Sequence, residues 1–321
     1  MLRESVREAG GSYVGRLVGA LKAIGRNELA ESIRAVARAD GKRIEESNPF
    51  ERTFDRLELP ACSPIAARLR LMWATMRERL LAVLPEDSSP VRLRPLEEIL
   101  KDIDEGYVAD SYHSLSIEGY RVSEELIRRV ASGDWDPKTN SADMNQRNAL
   151  AASGYYRAYR EVRAVIERIV NGADAAMTIA ENVESWHREL FMPCVDAGIL
   201  DAADLATYRR TQVYIAGSRY TPPATTVLSD AMEAFYDLFR AERDYRIRAL
   251  LGHFFFVHIH PYSDGNGRTA RLVMNASLVA GGGRWKVIPV EMREKYMQSL
   301  EKASVSGEID DFAALVFSLR K

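Results

Sequence analysis

Apolar residues recur every three or four positions along most of the chain, the spacing that places them on one face of an α-helix. Val14, Leu17, Val18, Leu21 and Ile24 form one such stripe, and Leu29, Ile33 and Val36 a second. After breaks at Asn48-Pro49 and Leu59-Pro60, Ser63 as N-cap and Pro64 at the first helical position open a longer helix. Its stripe is Ile65, Leu69, Met72, Trp73, Met76 and Leu80, and Pro85 closes it. Pro85-Glu86-Asp87-Ser88-Ser89-Pro90 has no periodicity and two prolines, which predicts a linker and a domain boundary near residue 94.

Helical spacing resumes at Leu96, Ile99, Leu100 and Ile103 and runs towards Gly119. Ser123 caps another helix, with Glu124 and Glu125 at the positive end of its dipole and Gly133 and Pro137 ending it. A long helix is predicted over roughly 143–170, burying Leu150, Tyr155, Tyr159, Val162, Ile166 and Ile169. The next, through Ile179, Val183, Trp186 and Leu190, should stop before Pro193, and His187 on it reads as a packing or surface histidine. Residues 208–228 break the habit, because β-branched and aromatic residues flank Gly217-Ser218 and a Pro222-Pro223 pair follows. That pattern predicts one β-hairpin. Helices from about Ser229 to Arg240, from Tyr245 to Val257, from Leu272 to Gly281 and through Tyr296 and Leu300 complete a mainly α chain.

Composition changes this picture little. The 321 residues carry 44 Lys plus Arg against 46 Asp plus Glu, a formal charge of −2, so nothing draws the chain as a whole to nucleic acid or an anionic membrane. Any phosphate binding must be local. Cys62 and Cys194 form neither a Cys-x-x-Cys pair nor a disulfide framework, which fits a reducing compartment. No apolar run approaches the ~20 residues of a membrane span. Met1-Leu2-Arg3-Glu4 lacks the pattern of a signal peptide, so a cytoplasmic location is expected.

The chemistry is concentrated in His260-Pro261-Tyr262-Ser263-Asp264-Gly265-Asn266-Gly267-Arg268-Thr269-Ala270-Arg271. Gly265-Asn266-Gly267 can turn successive N–H groups into one concavity, an anion nest at the start of the following helix. Arg268 and Arg271, three apart, project from one face of the first turn and suit two phosphates. Asp264 beside an anion site suggests a bridging Mg²⁺, and His260 suits a general base. A plain turn, a solvated Arg-x-x-Arg face, and a zinc site from His258, His260 and Asp264 stand against this reading. The zinc reading leaves both arginines without a purpose.

This stretch resembles the signature of the Fic family, His-Pro-Phe-x-Asp/Glu-Gly-Asn-Gly-Arg-x-x-Arg, with Tyr262 in place of phenylalanine. The resemblance implies a Fic-type helical bundle over residues 95–321, with the hairpin at about 208–223 as a flap that aligns a target segment by strand addition. It implies transfer of AMP from ATP to a Ser, Thr or Tyr hydroxyl of a target protein. His260 would be the base and Asp264 the Mg²⁺ ligand. Gly265, Asn266 and Gly267 would cradle the phosphates, with Asn266 on the transferred one, and Arg268 and Arg271 would hold the rest.

On its own, Ser114-Leu115-Ser116-Ile117-Glu118-Gly119 is a helix end with Gly119 as its stop and Glu118 as a surface acid. It also resembles the family's inhibitory pattern, Ser/Thr-x-x-x-Glu-Gly/Asn, within a segment at about 107–119. That implies that Glu118 pairs with Arg271 and takes away a phosphate clamp. Two other functions stay open: removal of AMP with Glu118 positioning water, and an idle nucleotide-binding regulatory protein. Residues 1–94 are expected to form a helical region that packs on the core, with partner recruitment or a homodimer as its other open roles.

Overall fold

A computed structural model describes residues 10–44, 46, 63–84, 94–133 and 147–319. The expected linker at 85–90, the breaks at 48–49 and 59–60, the first four residues, Cys62 and Pro137 lie outside the described residues. The chain divides into two compact units, Met1–Cys62 and Ser63–Lys321.

In the smaller unit, α1 (Gly11–Ala23) and α2 (Asn27–Ala39) pair as a helical hairpin. Val14, Val18, Ala30, Ile33 and Ala37 form its core, with Leu17, Leu21, Val36 and Ile44 packed around it. Both predicted stripes therefore face inward except at the turn between the helices, where Ile24 and Leu29 are exposed.

In the larger unit, α3 (Pro64–Val83) starts as the sequence predicts, Ser63 Oγ accepting the Ala66 N–H at the N-cap. It lies before the predicted boundary near residue 94, yet its contacts are with the helices that follow. Arg77 Nε donates to Glu242 at 2.8 Å, and Trp73 meets Phe255 with ring centroids 4.9 Å apart. Next come α4 (Leu96–Ile117), α5 (Glu124–Ser132), α6 (Arg147–Val170) and α7 (Ala175–Asp196). α6 and α7 form a close hairpin, and a Cβ on Gly154 would stand 1.9 Å from the Leu190 carbonyl oxygen. α7 does not stop at Pro193 but carries it inside its last turns. The predicted element ended early because one missing N–H was taken as a full break.

α8 (Leu228–Ala241) leads to α9 (Tyr245–Ile259) and α10 (Asn266–Ala280), which pair around the His260 loop. Apart from Gly267, every residue of α10 is buried. α10 touches α4, α6, α7 and α9, so a helix enclosed on all sides carries the motif. The predicted helix through Tyr296 and Leu300 is α11 (Arg293–Ser306), and the tail expected after it holds a further helix, α12 (Asp310–Ser318), beyond Gly307 at φ +73°. No helix among the described residues is long and apolar enough to cross a membrane.

The predicted β-hairpin is absent: no residue of 208–223 is in a strand. The segment is an extended loop with a turn, Ser218 N–H to Ile215 O at 3.1 Å, and Gly217 at φ +77° inside it. Pro222 and Pro223 have no N–H for a ladder. Side chains tie the two arms instead, Gln212 Nε2 donating to Val213 O and Pro222 O, and Arg209 to Thr211 O and Pro223 O.

Candidate active site

His260 ends α9 in a left-handed conformation, φ 53° and ψ 59°, the one non-glycine residue with positive φ among those described. Pro261 disfavours a helical conformation for the residue before it, so the chain leaves the helix here, at a cost of about 1–3 kcal/mol for a non-glycine residue. The His260 N–H still donates to Phe256 O, while Nδ1 lies 3.2 Å from Val257 O. A carbonyl can only accept, so Nδ1 carries the proton and Nε2 keeps a free lone pair. Burial lowers the pKa of His260, against a smaller raising effect of the Val257 hydrogen bond. The neutral ring suits a base.

Arg209 locks the base of the loop. Its backbone N–H donates to Pro261 O and its Nε to His260 O, both at 2.8 Å. Asn266 locks the middle: Oδ1 accepts the Tyr262 N–H at 3.0 Å, and Nδ2 donates to Tyr262 O at 2.8 Å. Both ends of this buried amide hold the loop, so the side chain expected on a phosphate is a brace here. Gly265, at φ 83°, caps α10, and a Cβ there would meet the Phe191 ring at 2.7 Å.

Asp264 has 55% of its side chain exposed. Its Oδ1 accepts the Gly265 N–H at 2.6 Å and lies 3.3 Å from Arg268 Nη2. No cluster of three or more His, Cys, Asp or Glu that could hold a metal occurs among the described residues. His258 stacks under Tyr220, 4.0 Å between centroids, with Nδ1 towards Ser304 Oγ. It joins neither His260 nor Asp264, which removes the zinc alternative.

The two arginines occupy unlike surroundings. Arg268 is 1% exposed and sits between two aromatic rings, its Cζ 5.1 Å from the Tyr120 centroid and 5.0 Å from that of Phe191. Its Nε and Nη2 have no hydrogen-bond partner. Arg271, also buried, is fully engaged: Nε donates to Ser114 Oγ at 2.9 Å, and Nη2 to Ser114 O at 3.0 Å and to Glu118 Oε1 at 2.8 Å. Nη1 reaches the Tyr296 hydroxyl at 3.4 Å. Burial alone would lower the Arg271 pKa, but Glu118, Tyr296 and Tyr155 together raise it. Glu118 lies over the start of α10, since a Cβ on Gly267 would stand 2.3 Å from its Oε1. Gly267 thus leaves room for the carboxylate above the nest.

α4 is anchored to hold Glu118 there. Arg293 Nε donates to Ile117 O at 2.7 Å at the negative end of the helix, and the Val290 N–H donates to His113 Nδ1 at 3.1 Å. Asp110, buried on the stripe facing α6, accepts from the Tyr155 hydroxyl, and burial raises its pKa. Gly119, at φ 84°, turns the chain away immediately after Glu118.

The family model described as "Fic/DOC family" matches residues 177–278. This chain carries a Fic/DOC-family domain. It is 32% identical over 216 residues to "Protein adenylyltransferase Fic" of Culex quinquefasciatus, covering 66% of this chain and 40% of that one. With the Drosophila willistoni protein of the same name, identity is 30% over 250 residues, 75% of this chain and 46% of that one. The chain therefore spans less than half the length of these curated relatives. In fold it is similar to Fic-1 from C. elegans, with a TM-score of 0.54 and 19% identity over 99% of this chain and 87% of that one. A Fic domain containing signaling protein from Bacteroides thetaiotaomicron has a TM-score of 0.50 and 19% identity, over 79% and 92% of the two chains.

Within the Fic domain several working residues escaped the sequence reading. His187 stacks on Tyr262, 3.5 Å between centroids at 8°, and its Nε2 meets Asp264 O at 2.9 Å. Burial pushes its pKa down to about 4. It is the packing histidine the sequence suggested, and it supports the motif loop through Tyr262 and the Asp264 carbonyl. Phe191 follows it by one turn of α7, and an aromatic pair at i, i+4 on one face was the available signal. Tyr296 links Arg271 to His253, whose Nε2 lies 2.8 Å from the Tyr296 hydroxyl. Burial lowers the His253 pKa, and the phenol oxygen accepts from Arg271 Nη1 while sharing a hydrogen bond with His253 Nε2.

Proposed function

We propose that this chain is a protein adenylyltransferase, moving AMP from ATP to a Ser, Thr or Tyr hydroxyl of a target protein, and that Glu118 restrains it. The observation that carries the restraint is the 2.8 Å pair between Glu118 and Arg271 over the start of α10. The relatives named above support the activity.

In this reading the α-phosphate lies against the N–H groups at Asn266 and Gly267, where the helix dipole favours negative charge, while Gly265, whose N–H is held by Asp264, makes the turn into the nest. His260 Nε2 takes the proton of the target hydroxyl as that oxygen attacks the α-phosphorus. The bond to the β-phosphate bridging oxygen breaks and pyrophosphate leaves. Arg268, fixed by its two rings, meets phosphate charge without prior rearrangement. Arg271 serves the terminal phosphate only after Glu118 withdraws, since one guanidinium edge cannot serve both. Asp264, a half-exposed carboxylate beside the nest, fits the one-carboxylate site that Mg²⁺ needs when it also binds phosphate. When bound, Mg²⁺ would neutralise phosphate charge there. The loop around 208–223 receives the target segment, with Tyr214, 77% exposed, on its outer side.

The test incubates the chain with labelled ATP, Mg²⁺ and a cell lysate. Glu118→Gly should raise labelling by about 5- to 150-fold, the span of ordinary coupling energies, and His260→Ala should abolish it. Equal labelling by wild type and Glu118→Gly removes the restraint. Loss of label from a premodified protein, dependent on Glu118, establishes the reverse reaction instead.

A further inference from the structure

A cavity of about 720 Å³ lies beside the motif loop, in the volume range of small-molecule sites. Tyr262, Ser263, Asp264 and Arg268 form part of its wall, but neither His260, Glu118 nor Arg271 does. The phosphate clamp at Arg271 and this cavity therefore share Arg268 and Asp264 and differ elsewhere.

The lining has a definite chemistry. Leu190, Phe191, Ile199 and Leu200 supply apolar surface from the end of α7 and the loop after it. Four arginines, at 147, 209, 210 and 268, face two acids, Asp204 and Asp264, so the charged lining is cationic. Two of those arginines flank a single ring: Arg147 Cζ is 5.0 Å and Arg268 Cζ 5.1 Å from the Tyr120 centroid. Holding two guanidiniums around one ring has a Coulomb cost that an anion beside them would offset.

Two buried polar groups in the wall also lack partners. Arg268 Nε has no acceptor and Nη2 has only an ion-pair contact with Asp264 Oδ1 at 3.3 Å, and His187 Nδ1 has no partner at all. His187 Nε2 spends its proton on the Asp264 carbonyl, so Nδ1 is a bare acceptor. Unpaired buried groups of this kind are uncommon in folded proteins and ask for an explanation.

We propose that this cavity binds a small organic anion with an apolar body, its charge on the Arg147–Tyr120–Arg268 stack and a donor group on His187 Nδ1. The site is separate from the Arg271 phosphate clamp, and its test does not require the chain to be an adenylyltransferase. An occupant would hold Arg268 from the side away from the nest and so reach the clamp through a shared residue.

1-Anilinonaphthalene-8-sulfonate supplies a sulfonate, an N–H and an apolar body, and Cys194, half-buried in the cavity wall, reports on location. The full chain is titrated with this probe by fluorescence. Alkylation of Cys194 by bromobimane is followed in parallel by peptide mass. Expected results are saturable binding and protection of Cys194 over the same concentration range. Arg147→Ala should weaken binding about fivefold, and Cys194→Trp, which fills the cavity, at least about tenfold. Arg271→Ala should leave it unchanged. The proposal fails if binding does not saturate, if Cys194 alkylates equally fast with the probe bound, or if Arg271→Ala removes the binding. Protection of Cys194 in the unaltered chain decides the matter even if Cys194→Trp does not fold.

Discussion

Arg268 and Arg271 stand three residues apart on one helix turn, yet the fold treats them oppositely. Arg268 is gripped through its π-face by Tyr120 and Phe191; its Nε has no acceptor, and its Nη2 has only the half-exposed Asp264 carboxylate at 3.3 Å. Arg271 is gripped through its edges, by Ser114, Glu118 and Tyr296. Ring stacking orients a guanidinium while leaving its donors for an incoming anion. Edge pairing orients it and uses the donors up. One arginine is held ready, and the other is held occupied.

The strongest way to break this contrast is substitution in both backgrounds. In the released Glu118→Gly chain, Arg268→Ala should lower kcat by about 10²–10³, the usual loss for one charge-stabilising donor. The unreleased chain should lose by a similar factor. Arg271→Ala should be severe only in the released chain, because in the wild type that side chain is already spent. Equal penalties for Arg271→Ala in both backgrounds would dissolve the contrast. Single-turnover labelling, with thermal melts to check folding, reads these differences.

Next in size is Ser114→Ala. It removes the acceptor of Arg271 Nε from the restrained state and should raise wild-type labelling about two- to tenfold, from a loss of ~0.5–1.5 kcal/mol. Tyr296→Phe in the released chain should lower kcat/KM for ATP about two- to fivefold, mainly through KM, because Arg271 then loses its hydrogen bond to the core. His253→Gln, which retains a hydrogen-bond partner for the phenol, should lower it less than His253→Leu.

The smallest effect expected is in the pH profile. Burial holds the His260 pKa below its ordinary value of 6.5, so the ring is already a free base at neutral pH. Activity of the released chain should then be flat through neutrality and fall only at pH values below the ordinary histidine range. An acid limb at or above 6.5 would show a solvated imidazole instead.

Much of this site was legible in the sequence. The twelve-residue motif was readable because each residue type has one chemical purpose at its spacing, whereas the Glu118–Arg271 pairing came only through the resemblance to the Fic inhibitory pattern, since residues 114–119 alone read as a helix end. What stayed hidden were contacts made by packing. Tyr120 and Phe191 reach Arg268 from the turn after α4 and from α7 respectively, and no local pattern joins those segments to residue 268. Asp110 left a clue, an acid on the buried stripe with Ile103, Tyr107 and Ser114. The β-hairpin misled for a physical reason: β-branched residues favour extended backbone, but extended backbone pairs only if both arms have free donors, and Pro222-Pro223 removes two.

In the proposed restraint, the paired Glu118 and Arg271 are parts of one chain, which has a consequence for how it behaves in a cell. The blocking carboxylate and its target belong to one molecule, so their encounter is first order and does not weaken when the protein is scarce. Dilution cannot release the site, and a rival carboxylate in solution would have to match a high local concentration. In the proposed reading, release comes from whatever lifts the end of α4, where Arg293 holds the Ile117 carbonyl. The switch therefore answers to force on a helix end, and the abundance of the protein leaves its setting unchanged.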